Sequence, residues 1–389
     1  MIKLVKFLPV AALILFFTAC KKNDTSVIPP PLKQIDIISV DKKISDWMIK
    51  NKMPGMSLAV SKDGKLVYAK GYGETNTDTH ENVTTESQFR IASVSKLITS
   101  VAIMKLIQDK KISMDQKVFG TNGVLGTAYG TQPYKQYVTD ITISNLLYHN
   151  GGGWGQDTDP AFFDITLDKK AIINWTLNNV SLKRKPGTGF DYSNFGYMLL
   201  SEIIEKVSGK SYSQFVNDEI WSKTGATRSS IAGSKHTDKL VKEVVYYGQG
   251  TDAPFVYGMN ISRGDGAMGW LSTPGDLLRF ATAVDSSNTR PDILSLSTIK
   301  TMVTTTATSA GFGFNFGCGW AVEGNEWLWW GSLPGTFAIL YRNGNGICIA
   351  ATANSRLQPN SENALNSFIG VINFFAFQKD IPWQAIDQF

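Results

Sequence analysis

The sequence predicts an α/β protein of the α+β type, with one antiparallel sheet built from both chain ends, flanking helices and an inserted, mainly helical region. Three observations lead to this prediction. Strand-like runs lie between residues 56 and 70, helical patterns dominate residues 93–261, and strand-like runs return between residues 317 and 353. Strands at both ends with helices between them favour one shared sheet covered by helices.

The first elements are a helix and a hairpin. Residues 39–52 can form the helix, and apolar runs at 56–60 and 66–70 flank a turn at Asp63-Gly64. An Asp-Gly pair between two apolar runs is a strong hairpin signal. The sequence therefore predicts that the sheet begins here.

Residues 93–111 have the pattern of a buried helix. Leu97, Val101 and Met104 recur at i, i+4 and i+7, and other apolar side chains fill most of the remaining circumference. Because a helix that is apolar nearly all round is buried, we expect this one to run through the core.

Helix signals continue through the middle of the chain, and strand signals return near its end. The predicted helices are 143–148, 169–177, 194–207 (ending at Gly209) and 361–377, and the predicted strands are 317–323, 336–342 and 347–353. Asn343-Gly344-Asn345-Gly346 is the turn between the last two strands.

Composition excludes several classes of protein. The 389 residues are 43% hydrophobic and 18% charged, which is typical of a globular chain and not of a disordered or collagenous one. Only 3 Cys, 3 His and a formal charge of +5 argue against a disulfide framework, a Cys/His zinc site and a charge-driven nucleic-acid binder. We expect no metal, no cofactor and no nucleic-acid partner.

The N-terminus has the regions of a secretory signal. Two lysines, the apolar run 7–17 and the pair Thr18-Ala19 precede Cys20, and the run is too short to span a bilayer. This pattern resembles the lipobox of bacterial lipoproteins, in which the chain is cut before the Cys and the Cys is acylated. Phe17 stands where that motif usually has Leu. An ordinary cleaved signal followed by a coincidental Cys is the alternative.

We therefore predict an exported protein, periplasmic or at the cell surface, with a lipid contact to a bacterial membrane. The segments are a signal peptide at 1–19, a lipid-anchored tether at 20–35 and one domain at 36–389, with a sheet region at 36–92 and 262–389 and a helical region at 93–261. The tether contains Pro29-Pro30-Pro31, a stiff composition that suits a spacer. The oligomeric state stays open.

Two common hydrolase motifs are missing, and one weaker motif is present. The chain has neither Gly-x-Ser-x-Gly nor His-Glu-x-x-His, and nothing supports an imidazole base at His80, His149 or His236. Ser93 and Lys96 lie one helical turn apart. A desolvated lysine near a helix N-terminus has a lowered pKa and can accept the serine proton. The alternative is that Ser93 is an N-cap and Lys96 an ordinary surface residue.

A second group of polar residues opens the helix predicted at 194–207. Tyr192 can relay a proton if a nearby ammonium group holds its pKa down, and Asn194 can form bridging hydrogen bonds. The alternative is a tyrosine packed over a helix start, with Asn194 as the N-cap.

Three ordered motifs resemble those of the serine β-lactamase and penicillin-binding-protein group, in the branch of class C β-lactamases, D-amino-acid peptidases and related esterases. They are Ser93-x-x-Lys96, Tyr192-Ser193-Asn194 and Trp329-Trp330-Gly331, the last standing where the family has Lys/His-Thr/Ser-Gly. Weaker similarity covers most of residues 45–355, including Leu146-Leu147-Tyr148-His149-Asn150-Gly151-Gly152. The resemblance implies a β-lactamase/transpeptidase-like fold.

The resemblance also implies roles for these residues. Ser93 would be the nucleophile that forms an acyl-enzyme, and Lys96 and Tyr192 would share the acid and base work. Asn194 would position Lys96 and the substrate. Backbone N–H groups of Ser93 and Ser332 would form the oxyanion hole, beside Gly331, which lets the strand approach the substrate closely.

The third motif departs from the family because it lacks a cation. Trp329 and Trp330 offer apolar faces and single N–H donors but no positive charge for a substrate carboxylate. This favours an ester or amide with an apolar acyl part, as in esterases that carry Trp-Gly there, over penicillin or D,D-peptide substrates. Core packing without substrate contact is the alternative for both indoles.

The expected function is therefore a serine hydrolase acting on a small-molecule or peptide ester or amide. The alternatives are a true class C-like β-lactamase or D-amino-acid peptidase, and an inert peptide-binding protein on the same fold. Cys318 and Cys348 fall on predicted strands that can be neighbours, and the sequence leaves open whether they are bonded.

Overall fold

A nine-stranded antiparallel sheet forms the centre of the computed structural model, which describes residues 30–356 and 361–389. The strands in these ranges are β1 (Gly55–Lys62), β2 (Lys65–Asn76), β3 (Glu81–Asn82), β4 (Phe89–Arg90), β5 (Ser230–Ile231), β6 (Trp270–Ser272), β7 (Ala310–Gly311), β8 (Phe314–Phe316), β9 (Ala321–Glu323), β10 (Glu326–Leu333), β11 (Thr336–Arg342) and β12 (Ile347–Ala353). The order in the large sheet is β3-β2-β1-β12-β11-β10-β9-β8-β7, and β4-β6-β5 form a small second sheet.

Both ends of the chain build the large sheet. Strand β1 pairs antiparallel with β12, with Met56 opposite Ala353 and Lys62 opposite Ile347. The β1–β2 hairpin turns at Asp63-Gly64, where Gly64 has a φ of +75°, a conformation that glycine adopts without strain. The predicted fold class, an antiparallel sheet from both chain ends flanked by helices, is confirmed.

The described helices flank the sheet, and most of them lie in the chain between the N-terminal strands and the C-terminal strands. They are α1 (Ile38–Asn51), α2 (Ser95–Gln108), α3 (Ile143–Leu147), α4 (Lys169–Asn179), α5 (Asn194–Ser208), α6 (Tyr212–Val216), α7 (Ser222–Thr224), α8 (Asp265–Met268), α9 (Pro274–Ala281), α10 (Leu296–Val303) and α11 (Ser361–Phe377). Helix α5 ends where Gly209 adopts the left-handed conformation. None of the helices in the described ranges is both long and apolar enough to cross a membrane.

Helix α2 is the buried helix that its apolar pattern predicts. Leu97 and Val101 are completely buried and Met104 nearly so, and α2 packs against α5 and α8. The α-helix begins at Ser95, because residues Ala92–Val94 form a tighter 3-10 turn before it. This turn places Ser93 at the entry to the helix.

The strand predicted at 317–323 is wrong in its first half. Only Ala321–Glu323 is strand, and the residues before it form a turn closed by a 2.9 Å hydrogen bond from Gly317 N to Trp320 O. Gly319 has a φ of +82°, and a Cβ on it would lie 2.6 Å from Ser100 Oγ of α2. The turn is therefore pressed against the buried helix, where a continuing strand would not fit.

The two described cysteines are both buried and both free. Cys318 lies in the turn before β9, whereas Cys348 lies within β12 opposite Ser61. The prediction that both lie on strands is wrong for Cys318. The thiols do not form the disulfide that the sequence left open.

The stretch Pro31–Phe389 forms one compact unit. The predicted signal peptide and Cys20 lie outside the described residues. Near the end of the predicted tether, the Leu32 carbonyl accepts a 2.8 Å hydrogen bond from Thr85 Oγ1, and Ile35 N donates to Ala69 O at 3.2 Å. The boundaries of signal, tether and domain stay predictions.

Candidate active site

The serine predicted as nucleophile lies in a tight turn between β4 and α2. Ser93 is half-buried, whereas its neighbours Ala92 and Val94 are completely buried. Ala92 has a φ of +46°, a left-handed conformation that costs a non-glycine residue about 1–2 kcal/mol. The surrounding packing holds this strained turn, and it leaves the hydroxyl of Ser93 open to one side.

Lys96 lies beneath Ser93 and is completely buried. Its Nζ lies 3.1 Å from Ser93 Oγ and donates to Asn194 Oδ1 at 2.7 Å and to the Ala267 carbonyl at 2.8 Å. Burial lowers the pKa of Lys96 to about 7, although the negative charge of Asp159 opposes that shift. The alternative of an ordinary surface lysine is therefore wrong.

Asp159 is the residue of this cluster that the sequence analysis missed. Its carboxylate accepts from Asn194 N at 2.6 Å, from Asn194 Nδ2 at 3.0 Å, from Phe195 N at 3.1 Å and from Ala161 N at 3.0 Å. Burial raises the pKa of Asp159 to about 6, and these hydrogen bonds act in the opposite direction. The carboxylate thus fixes the orientation of the Asn194 amide, which in turn holds Lys96.

One signal for Asp159 exists in the sequence. An Asp directly before a Pro is typical of a helix start, and Asp159 does cap the short turn Pro160–Phe162. That pattern predicts only the local cap. Its contact with Asn194, 35 residues later, depends on the tertiary fold.

Tyr192 lies next to Ser93 and above Lys96. Burial raises the pKa of the Tyr192 hydroxyl, and the nearby Ser93 hydroxyl and Trp329 indole partly offset that rise. Both groups are close to the hydroxyl, but within the described ranges neither is placed to form a well-aligned hydrogen bond with it. Lys96 Nζ lies 4.9 Å from the centre of the Tyr192 ring. The Lys96 amine is therefore near enough to exchange a proton, but the pKa of Tyr192 is raised and not held down, so that part of the prediction is wrong.

His149 supports Tyr192 from below. The two ring centroids are 4.4 Å apart, and Nδ1 of His149 accepts the Ser193 N–H at 3.1 Å. Burial, with a contribution from Lys96, holds the pKa of His149 well below its usual value. The imidazole is therefore neutral and serves as packing and as a backbone acceptor.

Gly331 allows strand β10 to lie directly against the nucleophile turn. A Cβ at this position would lie 2.1 Å from Ile91 O and 2.8 Å from Ser93 N, distances that real Cβ atoms do not reach. Only glycine fits this approach without displacing the backbone that carries Ser93.

The pairing of β10 also orients the backbone of Ser332. Leu333 and Thr336 flank the two-residue turn of the β10–β11 hairpin, so their backbones form a hydrogen-bonded pair. Because such pairs alternate along antiparallel strands, the next pair, Ser332 with Phe337, is not hydrogen-bonded. The Ser332 N–H therefore points away from β11. In the described pairing β9 covers β10 only up to Leu328, which leaves that edge open at Ser332.

The two indoles of the third motif pack into an aromatic cluster at one side of the site. Trp329 lies 5.6 Å from Tyr192 and 5.0 Å from Phe316 between ring centroids. Trp330 contacts Phe312 and Phe314 at 6.5 and 5.8 Å. Both indoles take part in the core, yet both also line the cleft.

These residues surround a cavity of about 170 Å³. Its lining is Ser93, Phe162, Tyr192, Asn194, Phe312, Trp329, Trp330, Ser332 and Leu333. Lys96 is buried below this surface, and Gly331 lies on β10 between the lining residues Trp330 and Ser332. The fold thus brings every predicted site residue of the domain to one place. In the described ranges no group of three or more His, Cys, Asp or Glu side chains could hold a metal ion.

Solved structures with the same fold include two that cover most of this chain. An octameric penicillin-binding protein homologue from Pyrococcus abyssi superposes with a TM-score of 0.71 at 25% identity, covering 90% of this chain and 80% of that one. The D-amino acid amidase from Ochrobactrum anthropi SV3 superposes with a TM-score of 0.70 at 20% identity, covering 86% of this chain and 99% of that one.

The matches to sequence relatives cover a smaller share of each relative's length. Protein flp of Staphylococcus aureus (strain MW2) is 30% identical over 182 residues, 46% of this chain and 35% of that protein. The chain therefore spans about a third of that relative. A putative D-alanyl-D-alanine carboxypeptidase of Escherichia coli O157:H7 is 24% identical over 310 residues, 70% of this chain and 69% of that protein.

The family model described as Beta-lactamase matches residues 40–373, which is most of the chain and includes all three motifs. The match agrees with the fold and with the resemblance that the motifs carry. This chain belongs to the Beta-lactamase family.

Proposed function

We propose that this protein is a serine hydrolase that cleaves an ester or amide through an acyl-enzyme on Ser93. The observation that carries the proposal is the buried Lys96, whose Nζ lies 3.1 Å from Ser93 Oγ and whose pKa is lowered to about 7. A base with a pKa near the working pH combines the correct protonation state with a strong driving force for proton transfer.

The contacts of Lys96 define the direction of proton transfer. A neutral amine has two N–H donors and one lone pair, and two carbonyl oxygens, of Asn194 and Ala267, already accept from Nζ. The lone pair is thereby left for the third neighbour, the Ser93 hydroxyl. Ser93 Oγ then attacks the substrate carbonyl while its proton passes to Lys96.

The remaining steps use groups around the same cavity. The N–H groups of Ser93 and Ser332 bind the negative oxygen of the tetrahedral intermediate, and one such donor is worth about 3 kcal/mol. Tyr192 gives its proton to the leaving oxygen or nitrogen and regains one from the Lys96 ammonium. A water molecule then attacks the acyl-enzyme, loses its proton to the same pair, and the bond to Ser93 Oγ breaks as that oxygen is reprotonated.

The third motif favours a substrate that does not need a cation. Trp329 and Trp330 contribute an apolar wall where the family places Lys or His. We therefore favour an ester or amide without a free carboxylate on that side over penicillins and D,D-peptides. Because relatives are described as a D-amino acid amidase and a putative carboxypeptidase, D-amino-acid amides belong in the test.

The test combines a covalent probe with a substrate screen. A fluorophosphonate probe and a labelled penicillin are applied to the wild type, to Ser93→Ala and to Ser297→Ala, which removes an exposed hydroxyl on α10. We expect labelling in the wild type and in Ser297→Ala and none in Ser93→Ala, together with turnover of aryl esters.

Other outcomes identify the alternatives. Faster turnover of cephalosporins or D-peptides than of any ester would show a β-lactamase or a D-amino-acid peptidase. Folded wild-type protein that reacts with neither probe and turns over no substrate would contradict the proposal and indicate a binding protein on the same fold.

We also propose that the protein is exported and held at a bacterial membrane by a lipid on Cys20. The basis is the sequence pattern before Cys20, a part of the chain outside the described residues. Cell fractionation of the wild type and Cys20→Ala tests it. Release of the variant into the soluble exported fraction supports the anchor, and continued membrane association of Cys20→Ala contradicts it.

A further inference from the structure

A second cavity adjoins the catalytic one. Its volume is about 530 Å³, within the ~300–1,000 Å³ typical of small-molecule pockets. It shares Phe162, Ser332 and Leu333 with the catalytic cavity. Its apolar lining residues are Ala161, Phe162, Ile165, Phe255, Met259, Met268, Leu333 and Pro334.

The position of Tyr192, the proposed proton donor, indicates on which side of the cleft the leaving group lies and on which side the acyl group lies. Tyr192 protonates the leaving group in the proposed mechanism, and its ring lies 5.6 Å from Trp329 and 5.5 Å from Phe312. The leaving group therefore lies on the side of the indoles. An acyl substituent on the other side of the carbonyl carbon would extend past Ser332 and Leu333, which line both cavities and so lead into the second one.

Arg263 fixes one wall of the second cavity. Its buried guanidinium donates to the backbone carbonyls of Ala161 at 2.9 Å, Phe163 at 2.5 Å, Asp164 at 2.7 Å and Leu167 at 2.8 Å. One side chain therefore determines the path of the loop between residues 161 and 167. This loop carries three lining residues of the cavity, Ala161, Phe162 and Ile165.

Arg356 fixes another wall of the cavity. It forms a paired contact with Asp252, from Nε to Oδ2 at 2.5 Å and from Nη2 to Oδ1 at 2.7 Å, and it donates from Nη1 to Ser332 Oγ at 3.2 Å. The pair joins the turn Gly250–Phe255 to the strand that carries Ser332. Because Asp252 neutralises the cation, the cavity presents no unpaired charge from this pair to a ligand.

The rim of the cavity is apolar and exposed. Phe162, Ile165 and Phe255 are 42%, 49% and 57% exposed, although the buried Arg263 and the half-buried Arg356 hold the segments that carry them. Large apolar side chains that are exposed and clustered at a cleft mark a binding surface for an apolar ligand.

We propose that the second cavity is the acyl subsite and that it takes an extended apolar acyl group, so the substrate class is the esters or amides of medium-chain or aromatic carboxylic acids. This inference rests on the proposed serine hydrolase function. It assigns Arg263 and the Asp252–Arg356 pair as positioning residues for the two walls.

The experiment measures kcat/KM for p-nitrophenyl esters from acetate to octanoate. In the wild type we expect a rise of up to about 4-fold for each added methylene group until the cavity is filled. Met259→Trp fills the cavity, and we expect it to lower the octanoate-to-acetate ratio at least about 10-fold. Met114→Trp, a half-buried methionine away from the site, is the matched control and keeps the wild-type ratio.

The positioning role has its own readout. We expect Arg263→Lys, which cannot donate to four carbonyls, to raise KM for octanoate more than KM for acetate. Its melting temperature is measured alongside. An equal loss for acetate and octanoate in this variant would show a merely structural role.

Three results would overturn the acyl subsite. They are a flat chain-length profile in the wild type, an unchanged ratio in Met259→Trp, or a ratio that responds to Phe312→Ala on the leaving-group side instead. Failure of the proposed function is distinct, because it removes fluorophosphonate labelling and acetate turnover as well. Binding of methyl octanoate and methyl acetate to Ser93→Ala, followed by calorimetry, checks the preference without turnover.

Discussion

The polar side and the aromatic side of the cleft are built on opposite principles. Around Lys96 and Asp159 each hydrogen bond is directional, and the described atoms of both side chains are paired with partners between 2.6 and 3.1 Å away. Around Trp329 and Trp330 the contacts are ring against ring, and the buried Nε1 of Trp329 has no hydrogen bond in the described ranges. The polar groups are thus held in fixed directions for the reaction, whereas the aromatic groups offer apolar contact area for binding the substrate.

This difference has a kinetic consequence. Displacing a directional group by about 1 Å can cost about 100-fold in rate, whereas trimming a packed ring removes only part of the contact area. Changes on the polar side should therefore act mainly on kcat, and changes on the aromatic side mainly on KM. Four predictions test this contrast, in order of decreasing effect.

Loss of the lysine should have the largest effect. Lys96→Met keeps an apolar side chain of similar length but removes the proton acceptor, so we expect the rate of fluorophosphonate labelling to fall about 1,000-fold. Lys105→Met, on the same helix but paired with Asp109 outside the site, is the control and should label normally. Normal labelling of Lys96→Met would remove the lysine from the mechanism.

Gly331→Ala should have the second-largest effect, because its Cβ would lie 2.1 Å from Ile91 O and 2.8 Å from Ser93 N. We expect kcat for an aryl ester to fall about 100-fold as β10 moves away from the nucleophile turn. Gly370→Ala in α11, where an added Cβ meets no atom within 4 Å, should leave activity unchanged. Equal activities of the two variants would show that the close approach does not matter.

The pH dependence of acylation should show the lowered pKa of Lys96, about 7. Because the neutral amine is the base, the rate should fall about tenfold per pH unit below that pKa and level off above it. Stopped-flow acylation by an aryl ester measures this profile. The unfolded chain binds more protons at Lys96 between pH 7 and pH 10.5, so this group makes stability rise with pH across that window. A flat acylation rate from pH 5 to 8 would contradict the neutral lysine.

The smallest effect should come from Trp329→Phe. The phenyl ring keeps most of the contact with Tyr192 and Phe316 but loses one N–H donor, so we expect kcat/KM to fall about fivefold, mainly through KM. Trp320→Phe is the matched control, since Trp320 is also buried with an unpaired Nε1 but does not line the cleft. A loss as large as that of Lys96→Met would break the contrast between the two sides.

Sequence patterns predicted the local parts of the site. The spacing of Ser93 and Lys96 is a property of one helical turn, and Tyr192 and Asn194 stand at one helix start. These patterns alone left structural alternatives open, and the resemblance of three ordered motifs to a known family favoured the catalytic interpretation. The sheet from both chain ends followed from the positions of the strand-like runs. The turn at Gly319 did not, because its conformation depends on contact with Ser100 of α2.

The remaining parts of the site depend on long-range contacts. Asp159 acts on a residue 35 positions away, and its sequence context predicts only a local cap. The second cavity is assembled from four separate segments, and Arg263 binds carbonyl groups about 100 residues away. A periodic pattern of side chains cannot predict such contacts, because the backbone carbonyl group is the same in every residue.

The pairing of β1 with β12 also constrains the order of folding. Met56 and Ala353 are neighbours in the sheet although almost 300 residues separate them in the chain. Forming such a pair requires closure of a very long loop, which delays the sheet relative to local helices. The turn that carries Ser93 packs against β10 and β11, which are made long after it, so a chain still emerging from the ribosome carries its nucleophile without a working site.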